Sequence, residues 1–334
     1  MLQLLLNFNI DFIIEKEGIN TITATPVILV SHITISPLAG RGTNLQLRVS
    51  APATGNKLPI IIFAHGFGSS SDAYAPLVDF WVANGFVVIQ PTFPDSKTLS
   101  SNPNATHSEA LQAYLSNPLK NSIWQYRVED VKHILDQLDS IEDASELKGR
   151  TDRTRITAAG HSFGAQTVAM LLGARVISPD GSLGEDLSDS RVKAGVLLAP
   201  AGKGGADLSA FAAEHFAFIN PGYAQMTTPC LVVVGDKDVS QLTIRGWDWF
   251  TDAYTLSPGA NALVTLFGGE HMLGGISGYL AEETTDENPE RVAVLRELTL
   301  AYLRSALYPE DMAWATATAA LAENPNALGK IENK

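Results

Sequence analysis

One cysteine occurs in 334 residues, Cys230 in "TPCLVVVGD", so no disulfide can close within the chain. A lone cysteine among apolar residues reads as a buried structural thiol and fits a reducing, cytoplasmic setting. Positive charge is scarce too: 23 Lys and Arg oppose 36 Asp and Glu, for a formal net charge of −13. That balance repels a phosphate backbone and an anionic membrane surface, so nucleic acid is not an expected partner. No stretch reaches the ~20 apolar residues of a membrane span. The opening "MLQLLLNFNIDFIIEKEG" is apolar, but it has no basic start and no small-residue cleavage site, and Asn7, Asn9 and Asp11 interrupt it. It reads as an early structural segment rather than a signal peptide, which leaves the sequon at Asn104 without weight. Zinc-type metal chemistry lacks both an H-E-x-x-H and a cysteine pair, "GKGG" at 202–205 lacks the frame of a P-loop, and no G-x-G-x-x-G opens a helix after the first strand. Neither metal nor cofactor is expected. Internal repeats and low-complexity linkers are also missing.

What is present is a repeated alternation. Val-, Ile- and Leu-rich runs lie at 26–35, 44–50, 58–64, 86–90, 155–159, 193–199, 230–235 and 262–268, about eight strands in all. From the third onward they are almost unbroken apolar runs, the pattern of strands covered on both faces. Helical patterns separate them, as in "WQYRVEDVKHILDQLDSI" (124–141), where Val128, Val131, Ile134, Leu135 and Leu138 share one face. The alternation predicts an α/β fold: a single domain over 1–334 with a mostly parallel sheet and helices on both sides. A long final helix is predicted from Pro289, capped by Asn288. Two polar stretches break the pattern, 92–123 and 177–191. The first, too long for an ordinary connection, is read as a flap or lid.

The sequence "AAGHSFGAQT" (158–167) sets Ser162 between Gly160 and Gly164, after a strand and before a helix. This is the G-x-S-x-G pattern in the context of a nucleophile elbow, a turn so sharp that a Cβ on either flank would crowd its neighbours. A serine hydroxyl needs a base, and in this architecture the acid and then the histidine follow the serine along the chain. Two histidines lie beyond Ser162. His215 sits in a helical stretch without a preceding strand and reads as an ordinary, partly buried residue. His271, in "GGEHMLGG" after the last strand, is the candidate base. The strand "CLVVVG" ends in Asp236-Lys237-Asp238. Asp238, just beyond the turn, is the chosen acid, with Asp236 as the alternative that would rather bond loop amides. The loop "AHGFG" after the third strand offers the amide of Phe67, which with that of Phe163 makes an oxyanion hole. Trp247 and Trp249, shortly after the acid, are candidate substrate-binding residues alongside Phe67, although helix core is the slightly stronger claim on either tryptophan taken alone.

The segments "FAHGFGSS", "WVANGFVVIQPTFPDS", "AAGHSFGAQT", "LVVVGDKD" and "GGEHMLGG" together resemble the α/β-hydrolase superfamily. Within it, they are similar to the lidless or short-lidded serine esterases of the chlorophyllase-like, platelet-activating-factor acetylhydrolase-like and cutinase-like groups. The resemblance covers roughly residues 44–308. It implies Ser162 as nucleophile, Asp238 as acid, His271 as base, and Phe67 with Phe163 as oxyanion donors. Ala165 stands where many relatives carry another glycine, and a single cysteine rules out the C-terminal disulfide of secreted cutinase-like enzymes. The expected activity is hydrolysis of an uncharged, apolar carboxylic ester, a small molecule, through an acyl-enzyme. Two alternatives use the same fold: an acyltransferase with the same triad, and a non-catalytic binding module with a broken one.

Overall fold

The computed structural model describes residues 28–38, 41–100, 102, 106–278 and 283–334. The reading of the opening segment as structural and the sequon at Asn104 therefore fall outside the described residues. The strands are β1 (Ile28–Ile35), β2 (Leu45–Pro52), β3 (Leu58–Ala64), β4 (Val87–Pro91), β5 (Thr151–His161), β6 (Arg175–Val176), β7 (Val192–Leu198), β8 (Pro221–Gly222), β9 (Cys230–Gly235), β10 (Ala260–Leu266) and β11 (Gly329–Asn333). Nine of them form one sheet in the order β1-β2-β4-β3-β5-β7-β9-β10-β11, and β6 pairs with β8 apart from it. The six strands from β4 to β10 in that order are parallel, while β2 and β11 run against their neighbours.

The helices are α1 (Ala75–Ala83), α2 (His107–Ser116), α3 (Ile123–Asp136), α4 (Leu138–Ala144), α5 (Phe163–Leu171), α6 (Ala210–His215), α7 (Asp252–Leu256), α8 (Pro289–Leu307) and α9 (Ala313–Glu323). Strand side chains alternate between faces, so β3 divides its apolar run between two cores. Ile60, Ile62 and Ala64 join Val128, Val131 and Ile134 of α3 and Val168 of α5. Ile61 and Phe63 face the other way, toward Leu77 and Trp81 of α1 and Leu295 and Leu303 of α8. Each face buries large aliphatic side chains, worth roughly 1.5–3 kcal/mol apiece, and the sheet is covered on both sides as its unbroken apolar runs require.

Two boundaries differ from the sequence reading, and a third agrees with it. The sheet has nine strands rather than about eight, because "GKIEN" adds β11 at the edge beside β10. The helix expected over 124–141 is two helices meeting at Gln137, whose φ of −102° and ψ of 15° leave the helical region and re-aim Leu138 and Ile141 toward the core. The final helix starts at Pro289, and the Asn288 side chain accepts from the Arg291 amide at 2.9 Å. No helix among the described residues is long and apolar enough to cross a membrane.

Candidate active site

At the C-terminal end of β5 the chain reverses into α5 within one residue. Ser162 takes φ 54° and ψ −117°, a conformation that L side chains rarely adopt. The flanking glycines make that reversal possible. A Cβ on Gly160 would lie 2.4 Å from the Gly164 carbonyl oxygen, and one on Gly164 would lie 2.0 Å from the Ala64 oxygen. Strand β3 and helix α5 thus meet backbone to backbone, which lifts the serine hydroxyl clear of the sheet edge.

Two loops bring partners to it. His271, after β10, has Nε2 2.8 Å from Ser162 Oγ and Nδ1 2.8 Å from Asp238 Oδ2. A carboxylate only accepts, so Nδ1 carries the proton and Nε2 is left to accept from the serine. Asp238 is fully buried just past β9, while His271 remains over a third exposed. Asp236 is occupied elsewhere, accepting the Gly268 amide at 2.7 Å and pinning the turn after β10.

The residue between glycine and serine, His161, is one that sequence reasoning passed over. It is buried, and its Nε2–H donates to the His271 carbonyl at 2.8 Å. Its Nδ1 then accepts from Tyr74 Oη at 3.0 Å, and that same oxygen accepts the Gly66 amide at 3.0 Å. One chain of hydrogen bonds therefore joins the loop after β3 to the loop that carries His271. Burial, and next the neighbouring His271, push the His161 imidazole down to about 3. Burial, followed by Arg127, holds His65 at about 4.

Both histidines stay neutral in the folded state while the unfolded chain protonates them near 6.5. Their contribution to stability is therefore full above pH 6.5 and is lost as pH falls toward 4, at about 1.4 kcal/mol per pH unit for each. Asp130, raised by burial to about 6 against the pull of Arg41, works in the opposite sense below pH 6. Unfolding free energy measured in denaturant should fall between pH 7 and pH 5. His161→Gln should remove about 1.4 kcal/mol per unit from that slope; an unchanged slope contradicts the buried neutral state of His161.

Ser162 and His271 open into a cavity of about 350 Å³. Phe67, Phe163, Phe216, Phe218, Trp249 and Phe250 are among its walls, and no Lys, Arg, Asp or Glu lines it among the described residues. Helix α2, inside the 92–123 excursion, contributes Leu111 and Tyr114, the latter edge-on to the Phe67 ring at 5.1 Å. The capping box of Thr106 and Glu109 starts that helix. The two tryptophans separate: Trp249 is buried at the cavity wall with its indole N–H on the Lys203 carbonyl, whereas Trp247 is 37% exposed and lies outside the cavity. The expectation for Trp247 is thus corrected. Its segment is a short 3-10 turn over Trp247–Thr251 that turns Trp249 and Phe250 inward and Trp247 outward. His215 ends α6 half-buried, and Cys230 is buried, its thiol raised by burial to about 12.

Phe67 lies in the loop after β3, and Phe163 directly follows Ser162. Phe163 is the first residue of α5, where amides have no acceptor within the helix. The Phe67 amide has no acceptor among the described residues. A mostly parallel α/β sheet whose C-terminal edge gathers a strained serine, a histidine and a buried aspartate, in that hydrogen-bonded order, defines the class of the molecule. The description of the alpha/beta hydrolase family matches residues 61–328, and the chain belongs to that family. The chain is also similar to the platelet-activating factor acetylhydrolase of Cavia porcellus, at 24% identity over 196 residues, which are 52% of this chain and 42% of that protein. It is 28% identical over 145 residues to the platelet-activating factor acetylhydrolase of Bos taurus, spanning 36% of this chain and 33% of the relative. The matched region is less than half the length of either relative.

Proposed function

We propose that the protein hydrolyses uncharged, apolar carboxylic esters through an acyl-enzyme on Ser162. The observation that carries this reading is the unbroken path Ser162 Oγ to His271 Nε2 and His271 Nδ1 to Asp238 Oδ2, each link 2.8 Å long. Ser162 Oγ attacks the ester carbonyl as its proton passes to His271 Nε2, and Asp238 stabilises the imidazolium. The tetrahedral oxyanion takes hydrogen bonds from the amides of Phe67 and Phe163, which are fixed before the charge develops. The alkoxide departs with the proton from Nε2, and water then repeats the cycle on the acyl-enzyme. A complete relay weighs against a non-catalytic binding module.

The cavity supports the proposed substrate class. Its aromatic walls and the lack of fixed charge among the described lining residues suit an acyl chain or ring and leave a carboxylate or phosphate on the substrate unpaired. The two relatives are named as acetylhydrolases, which accords with ester cleavage. Helix α2 of the 92–123 segment is the cover of that pocket in this reading. A panel of p-nitrophenyl esters of increasing acyl length tests it. Butanoyl to octanoyl esters should exceed a succinyl half-ester by at least about tenfold in kcat/KM, since an unpaired buried charge costs more than a missing methylene gains. A charged ester as the best substrate would sink the assignment of the pocket.

A further inference from the structure

Arg127 is a guanidinium wholly buried on α3, and the mechanism above does not use it. Its Nε and Nη2 grip the buried Asp95 carboxylate at 2.7 and 2.8 Å. Burial alone would raise that carboxyl, but the charge and hydrogen bonds of Arg127, with the Gly68 amide, hold it below its ordinary range. The remaining donors point at one place. Nη1 donates to the His65 carbonyl at 2.9 Å and Nη2 to the Gly66 carbonyl at 3.4 Å. Asp95 completes the grip by accepting the Gly68 amide at 3.2 Å. The guanidinium plane also lies over the Phe163 ring, 4.4 Å from its centre.

The loop it grips is His65-Gly66-Phe67-Gly68, whose glycines resist no rotation of the peptides between them. In a trans peptide the carbonyl and the N–H point to opposite sides, so the direction of the Gly66 oxygen dictates that of the Phe67 N–H. Donors from His65 Nδ1 at 2.7 Å, the Ser69 amide at 3.2 Å and Arg127 converge on that oxygen. A buried ion pair seldom stabilises a fold more than an apolar pair of the same volume would. Its place here answers a need of aim rather than of stability.

We infer that Arg127, anchored by Asp95, is the positioning residue that keeps the Phe67 amide directed at the oxyanion. This inference rests on the ester-hydrolase reading of Ser162. The residue never touches substrate; it acts through the Gly66 carbonyl, on which an unheld loop would let the peptide turn over.

Two variants test it, Arg127→Lys and the charge-free double variant Arg127→Met with Asp95→Asn, which leaves no lone buried charge to prevent folding. Each is titrated with a trifluoromethyl ketone bearing an apolar tail, which closes on Ser162 to a tetrahedral oxyanion, and with the matching secondary alcohol, which fills the pocket but cannot form an adduct. In the double variant ketone affinity and kcat should fall together by about a hundredfold, the scale of one lost oxyanion donor, with KM and alcohol affinity within about twofold. Arg127→Lys, which keeps the charge but gathers its donors on a single nitrogen, should fall between the double variant and wild type. A melting temperature that drops while the ratio of ketone to alcohol affinity stays at its wild-type value overturns the inference and leaves the ester-hydrolase reading standing. A wild-type protein that forms no ketone adduct removes both.

Discussion

Replacing Ser162 with alanine should lower ester turnover by about 10⁵–10⁶ while the melting temperature holds or rises, because the nucleophile, base and acid of the proposed mechanism act as one unit and the remainder is binding alone. Among the described residues the hydroxyl makes one hydrogen bond, to His271 Nε2, so its loss leaves the fold's contacts in place. The measurement is steady-state hydrolysis of a p-nitrophenyl ester beside labelling with a fluorophosphonate. Wild type should take up one label per chain and the variant none. Residual turnover of more than a few per cent, or labelling that persists in the variant, would move the nucleophile away from Ser162.

Asp238→Asn should cost about 10⁴ in kcat with KM little changed. Asparagine is close in size and fits the same buried place, but its amide can donate to His271 Nδ1 and so favours the tautomer with the proton on Nε2, where it cannot accept from serine. Asp236→Asn makes the internal comparison. That side chain accepts the Gly268 amide, and an amide oxygen can still do so, which predicts near-normal kcat and a small loss of stability. If Asp236→Asn were the inactive variant and Asp238→Asn the active one, the acid would have to be reassigned and the 2.8 Å contact with His271 would lack a role.

Much of the fold was legible because burial on both faces writes itself as unbroken runs of Val, Ile and Leu, and the six parallel strands β3, β4, β5, β7, β9 and β10 carry those runs. Strand β11 carries none: "GKIEN" is an edge strand whose side chains mostly meet solvent, and its place depends on backbone pairing with β10 rather than on any pattern of its own. The β6–β8 pair is two residues a side, too short for periodicity to register. At the site, strand ends and the order along the chain sufficed to nominate Ser162, Asp238 and His271, and steric need marked the two glycines. Arg127 escaped because a charged residue in an amphipathic helix reads as solvent-facing. Nothing in "WQYRVEDVK" says that its arginine points inward to an aspartate 32 residues earlier. Trp247 and Trp249 differ by two positions, and whether a turn of 3-10 or α geometry carries them decides which one faces the cavity. That choice depends on tertiary contacts, such as the hydrogen bond from the Trp249 indole to the Lys203 carbonyl.

The backbone of Ser162 also bears on how such a chain can drift over generations. Holding an L residue at φ 54° and ψ −117° costs on the order of 1–3 kcal/mol, against total stabilities of roughly 5–15 kcal/mol for a domain. Glycine, without a Cβ, would relieve much of that strain at this position. A descendant freed from the demand for turnover therefore gains robustness by losing its hydroxyl, and the serine persists only under selection for chemistry.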